Sequence, residues 1–279
     1  MSLSLSLVTS SGAIIFGPIG KSLLPEAALS HWHQWSKELS SKPMLIGALT
    51  GGLSNQSFLL ESEIGNLVLR INGSDSLLPG ANRSDEINIW KAAAKKGIAP
   101  PLVFIDPENR YLISTHINND LPPKPQINAV IVDQAFNLLK SCHQLNIKAS
   151  SINYHSHIEH YWQLIEAKNQ PANPDLIKQR KPIQQTLDAL LNSNTPTGIC
   201  HHDPVTANFV GTPERLYLID WEYAANGLQV MDYAALATEW QIDDATILDR
   251  TDFDPKSLIE AKALYGYLCA LWEAATTEA

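Results

Sequence analysis

CHHDPVTANF (residues 200–209) and LYLIDWEYA (216–224) are the stretches that decide the fold of this chain. The first holds two histidines, an aspartate and an asparagine; the second is an apolar run ending on Asp220 and Glu222. Zinc does not suit them. His201, His202 and Asp203 are adjacent, so their side chains diverge along a strand or loop, and no HExxH spacing occurs. A Ser-His-Asp hydrolase is excluded as well, because there is no GxSxG elbow. What remains is H-x-D-x-x-x-x-N, a spacing that lets a tight loop turn Asp203 and Asn208 into one pocket. Phosphoryl transfer asks for that pair: a carboxylate at the attacking hydroxyl and hard oxygen ligands for Mg²⁺ on the ATP phosphates. Asp220 supplies the second metal carboxylate. The gap after Asn208 fits a β-hairpin that returns Asp220 beside the first loop.

Working outward, the chain is strand-rich first and helix-rich second. MLIGALTGGLSNQSFLLESEIGNLVLRING (44–73) reads as a three-stranded meander, broken at GGLSN and EIGN. LPEAALSHWHQWSKEL (24–39) has helical spacing before it. SDEINIWKAAAKKG (84–97) follows, a helix with Ser84 as N-cap, early acids, late lysines and a closing glycine. PLVFIDPENRYLIST (101–115) is a strand, a turn and a strand. The polar, proline-rich INNDLPPKP (117–125) is the hinge candidate. Helices are expected over 127–145, 155–169, 173–193, 230–240 and 255–275. The expected fold is therefore α+β and bilobal, with a β-rich lobe over 1–116 and a mostly α-helical lobe over 117–279. The cleft between them is the ligand site.

The bulk numbers agree. Of 279 residues 44% are hydrophobic and 18% charged, a globular composition. The net charge of −9 excludes a basic nucleic-acid surface. Residues 1–115 hold nine Lys+Arg and nine Asp+Glu, so the whole excess lies in 116–279. No run is long enough to span a membrane, and the N-terminus has no basic n-region of a signal peptide. Cys142, Cys200 and Cys269 are too scattered for a disulfide scaffold and read as reduced thiols in a cytoplasmic protein. Oligomeric state is not legible.

CHHDPVTANFV followed by LYLIDWEYA resembles the catalytic core of the aminoglycoside phosphotransferase and choline kinase superfamily, which has a protein-kinase-like fold. IDWEYA resembles the choline/ethanolamine kinase and bacterial thiamine kinase branch. The likeness covers about 45–235. It implies that Asp203 receives or orients the hydroxyl proton, that His201 holds the catalytic loop, and that Asn208 and Asp220 bind Mg²⁺. It implies that Arg70 meets the ATP phosphates and pairs with Glu86, with Asp85 as the competing partner. Arg70 stands where protein kinases have lysine, and a bidentate guanidinium is not a point charge. Gly51, Gly52, Ser54 and Asn55 would cover the phosphates through backbone N–H groups; an ordinary hairpin turn is the alternative. His202 reads as incidental. Asp232 reads as a cap or loop anchor.

The acceptor must bring a hydroxyl, and the acidic half points to a cation. From Asp203 onward there are fourteen acids and four basic residues, interleaved with aromatics. Aromatic faces with carboxylates suit a quaternary ammonium. Glu222 would face the substrate from the same side as Asp220 on an extended chain. Trp240 and Trp272, on late helices, are the expected aromatic wall. The reaction expected is ATP- and Mg²⁺-dependent phosphorylation of a small cationic alcohol, choline or ethanolamine first, with thiamine or an aminoglycoside as alternatives. The alternative of a different class is a kinase-like protein that binds its ligand without turnover. The intact Asp203, Asn208 and Asp220 favour the enzyme.

Overall fold

Five antiparallel strands form the N-terminal sheet: β1 (Met44–Leu49), β2 (Gln56–Glu61), β3 (Leu67–Ile71), β4 (Leu102–Ile105) and β5 (Tyr111–Thr115), in the order β1-β2-β3-β5-β4. The computed structural model describes residues 23–49, 55–73, 82–122, 128–168 and 171–277. Gly51, Gly52 and Ser54 lie outside the described residues. The meander of 44–73 and the strand pair of 101–115 are formed as their alternation requires. Leu67 pairs with Thr115 and Arg70 with Leu112, which places β3 at the middle of the sheet.

The two faces of this sheet are unlike. Leu60, Leu67, Leu69, Ile71, Tyr111 and Ile113 form a buried cluster with Ala28, Leu29, Trp35 and Leu39. The other face carries Val68 and Arg70. Period-2 alternation along β3 thus sends Arg70 away from the apolar face by register alone. The expected continuous helix over 24–39 is not observed. Helix α1 (Pro25–Leu29) stops, and a single 3₁₀ turn covers Trp32–Gln34. Leu29 and Trp35, six residues apart, would lie about 120° apart on one α-helix. Both are buried against the sheet, which requires the break.

Helix α2 (Arg83–Lys95) is capped by Asn82, whose side chain accepts from the N–H groups of Ser84 and Asp85, so the cap lies two residues before the expected Ser84. Gly97 closes the helix at φ +72°. The C-terminal lobe contains α3 (Ala129–His143), α4 (Tyr154–Ala167), α5 (Pro174–Leu191), α6 (Gln229–Trp240), α7 (Asp244–Arg250) and α8 (Pro255–Thr276). Helix α8 packs against α4, α5 and α6. The short α7 was not expected; Asp243 caps it. Among the described residues, no helix is long and apolar enough to cross a membrane.

Two small ribbons lie among these helices: β6 (Thr197–Cys200) with β9 (Ala225–Leu228), and β7 (Phe209–Thr212) with β8 (Arg215–Leu218). The hairpin β7–β8 closes the gap between Asn208 and Asp220. At its open end, Ile219 N donates to Asn208 O at 2.9 Å.

Candidate active site

The loop after β6 is fixed from beneath by one buried carboxylate. Asp232, in the first turn of α6 and 0% exposed, accepts from His201 N at 2.9 Å, His202 N at 2.7 Å and His143 Nε2 at 2.8 Å. Burial alone would raise its pKa. The hydrogen bond and charge of His143, with His202 and the His201 N–H, hold it below the ordinary aspartate value. Asp232 is thus an anchor for the loop. His201 is fully buried; its Nε2 bonds Ile219 O at 3.0 Å and its ring meets Trp221 edge-on. It therefore ties the loop to the segment carrying Asp220.

His202 is not incidental. It takes φ +63°, and its ring bridges Tyr223 O and Tyr154 Oη at 3.1 and 3.0 Å. Gly227 makes room, since a Cβ there would stand 2.5 Å from His202 Nε2. A left-handed non-glycine residue is strained, and these contacts over-determine it. The chain then presents Asp203, whose Oδ2 accepts from Asn208 Nδ2 at 2.8 Å.

Across the hairpin, Asp220 also takes a positive φ, +64°. The chain turns here, with Ala224 N bonded to Trp221 O. The extended-chain argument for Glu222 therefore fails, and it is the turn that places this acid. Asp220, Glu222 and Glu239 come close enough for their charges to act on Asp203. Burial raises the Asp203 pKa to about 7, and the charges of Asp220, Glu222 and Glu239 add to the rise against the Asn208 hydrogen bond. Asp220 is raised by burial too, against the pull of Arg70 and His201.

Arg70 arrives from the N-terminal sheet. Its Nη1 is 2.6 Å from Glu86 Oε1 and 4.0 Å from Asp220 Oδ1. Glu86 is the partner; Asp85 instead accepts from Ser150 N at 2.8 Å. Sequence reading missed Arg83, which meets Glu86 Oε2 at 2.8 Å and Asn55 Oδ1 at 3.2 Å. The two guanidinium groups keep Glu86 ionised below the usual range despite its burial. Arg70 Nε and Nη2 are buried with no hydrogen-bond partner among the described residues. The Asn55 side chain reaches over the cleft, donating from Nδ2 to Glu222 Oε2 at 2.6 Å.

The aromatic wall differs from expectation. Trp240 is 6% exposed in the main core, edge-on to Phe209, because the last turn of α6 packs under β7. The rings that feel the Asp203 charge are Tyr161, Tyr223 and Tyr265. Tyr265 Oη bonds Glu239 Oε1 at 3.3 Å, and Tyr223 stacks on His157. Trp272 is 39% exposed, two turns along α8 from Tyr265 and on the same face. Tyr161 and Glu239 carry no local motif. They come from α4 and α6, and only packing brings them to Asp203.

The sequence profile of the phosphotransferase enzyme family matches residues 46–254. The chain belongs to this family. Solved structures share the fold. The choline kinase LicA from Streptococcus pneumoniae superposes with a TM-score of 0.70 at 22% identity, covering 83% of this chain and 86% of that one. A choline/ethanolamine kinase family protein from Mesorhizobium loti gives 0.67 at 20% identity, covering 88% and 84%. By sequence, a LicA homolog of Mycoplasma capricolum subsp. capricolum is 26% identical over 161 residues. That match spans 56% of this chain and 65% of the relative, just under two thirds of its length.

Proposed function

We propose that this phosphotransferase moves the γ-phosphoryl group of ATP to the hydroxyl of a small cationic alcohol, with choline or ethanolamine as acceptor. The observation that carries the reading is Asp203, bonded to Asn208 and within reach of the charges of Asp220, Glu222 and Glu239, with Tyr161, Tyr223 and Tyr265 in its field. Carboxylates and aromatic rings together favour a compact ammonium over a neutral sugar. The choline kinases among the structural relatives point the same way.

In this reading the N-terminal lobe holds the nucleotide and the C-terminal lobe the acceptor. Val68 and Arg70 share the sheet face turned from the apolar cluster, which suits an adenine and its phosphates in that order. The Arg70 donors that find no hydrogen-bond partner among the described residues ask for an anion, since buried unsatisfied donors are costly. Asn208 and Asp220 would hold Mg²⁺, which neutralises phosphate charge when bound. The donor set fits: hard oxygens, with acids whose mutual repulsion a dication relieves.

Asp203 takes the hydroxyl proton as the alcohol oxygen bonds to the γ-phosphorus. The bond from that phosphorus to the bridging oxygen breaks, leaving a phosphate monoester, ADP and a proton. A base with a pKa near the working pH is matched to this task. His201 and Asp232 hold its backbone in place. Trp272 would stand at the rim of the acceptor pocket. The test is coupled ADP release with choline, ethanolamine, an aminopropanol, thiamine and kanamycin. Turnover with choline or ethanolamine is expected, and a protein inert to both overturns the acceptor assignment.

A further inference from the structure

We infer that the Asn55 side chain is a positioning residue that sets Glu222 from across the cleft. The inference rests on the reading of Glu222 as part of the acceptor pocket.

Asn55 immediately precedes β2, in the N-terminal lobe, and is 6% exposed; Glu222, in the C-terminal lobe, is 7% exposed. The carboxamide is polarised at both ends. Its Oδ1 accepts from Arg83 Nη2 and Gly73 N, both at 3.2 Å, while its Nδ2 donates to Glu222 Oε2 at 2.6 Å. A neutral amide thus lies between a guanidinium and a carboxylate, and each bond strengthens the other. Arg83 also shares Glu86 with Arg70, so the link joins the phosphate-facing cation pair to the acceptor-facing acid. The Nδ2 bond thus fixes one oxygen of the Glu222 carboxylate from the N-terminal lobe.

Asn55→Asp separates this role from a structural one. The new carboxylate still accepts from Gly73 N and Arg83, but it cannot donate, and it meets Glu222 with like charge. The expected result is an acceptor KM raised roughly tenfold with the ATP KM within about twofold of wild type. In a Glu222→Ala background the same change should cost less than about twofold. Amide hydrogen exchange at 221–225 should accelerate in Asn55→Asp while exchange in β2 is unchanged. The inference is overturned by an unmoved acceptor KM, by both KM values rising together, or by unchanged exchange at 221–225. A wild-type protein inert to every acceptor overturns the functional reading instead. The exchange measurement still decides the link in that case.

Discussion

Two turns present the acids of this site, and they are held differently. The loop carrying Asp203 is fixed wholly within the C-terminal lobe: Asp232 takes both backbone N–H groups before it, and His143 backs Asp232 from α3. The turn carrying Asp220 and Glu222 is tied to the C-terminal lobe through His201 and His202, and its acids also meet side chains of the other lobe, Arg70 at 4.0 Å and Asn55 at 2.6 Å. Both turns use a left-handed non-glycine residue, His202 and Asp220. One turn is therefore held by its own lobe, and the other by both.

The strongest test of the turn held by its own lobe is Asp203→Asn, expected to lower kcat by about 10²–10⁴-fold in ADP release. The same change should not weaken the fold. With a folded pKa above the unfolded one, Asp203 holds a proton in the native state between about pH 4 and pH 7 that the unfolded chain releases. Wild-type stability should fall as pH rises through that window. The Asp203→Asn protein escapes the fall, by on the order of 1 kcal/mol for a part-exposed group. A variant less stable than wild type at about pH 8 contradicts the charge crowding. Next is Asp232→Ala, which removes the anchor and leaves two buried N–H groups; urea unfolding should show a loss of about 3–5 kcal/mol.

Arg70→Lys addresses the turn held by both lobes. A lysine keeps the charge but not the fork, so the ATP KM should rise about tenfold with a smaller change in acceptor KM. Equal effects would mean that the two turns are not separable. The tryptophans give the smallest contrast in activity. Trp240→Ala should cost about 3–5 kcal/mol of stability through lost core packing. Trp272→Ala should leave the melting temperature near wild type and raise the KM for a quaternary ammonium by about two- to fivefold.

Much of this was legible because it is local. The spacing of Asp203, Asn208 and Asp220 implies a loop and a hairpin, and β7–β8 supplies the hairpin. Alternation along β3 separates Arg70 from the apolar face. What escaped the sequence was non-local. His202 looked idle because its partners, Tyr154 and Tyr223, lie 48 and 21 residues away. Glu222 was placed by an extended-chain argument, whereas the positive φ of Asp220 bends the chain. Trp240 and Trp272 were indistinguishable as late helical aromatics until α6 packed its last turn beneath β7.

The sequence by itself determined the family, the α+β division and the order of the chemistry-bearing groups, since each depends on short-range spacing and periodicity. Tertiary structure alone decided which aromatics surround Asp203, that Glu86 rather than Asp85 takes Arg70, and that Asn55 reaches Glu222. Those choices depend on helix rotation and lobe placement. They come from burial summed over many distant residues, and no short window of sequence contains that sum.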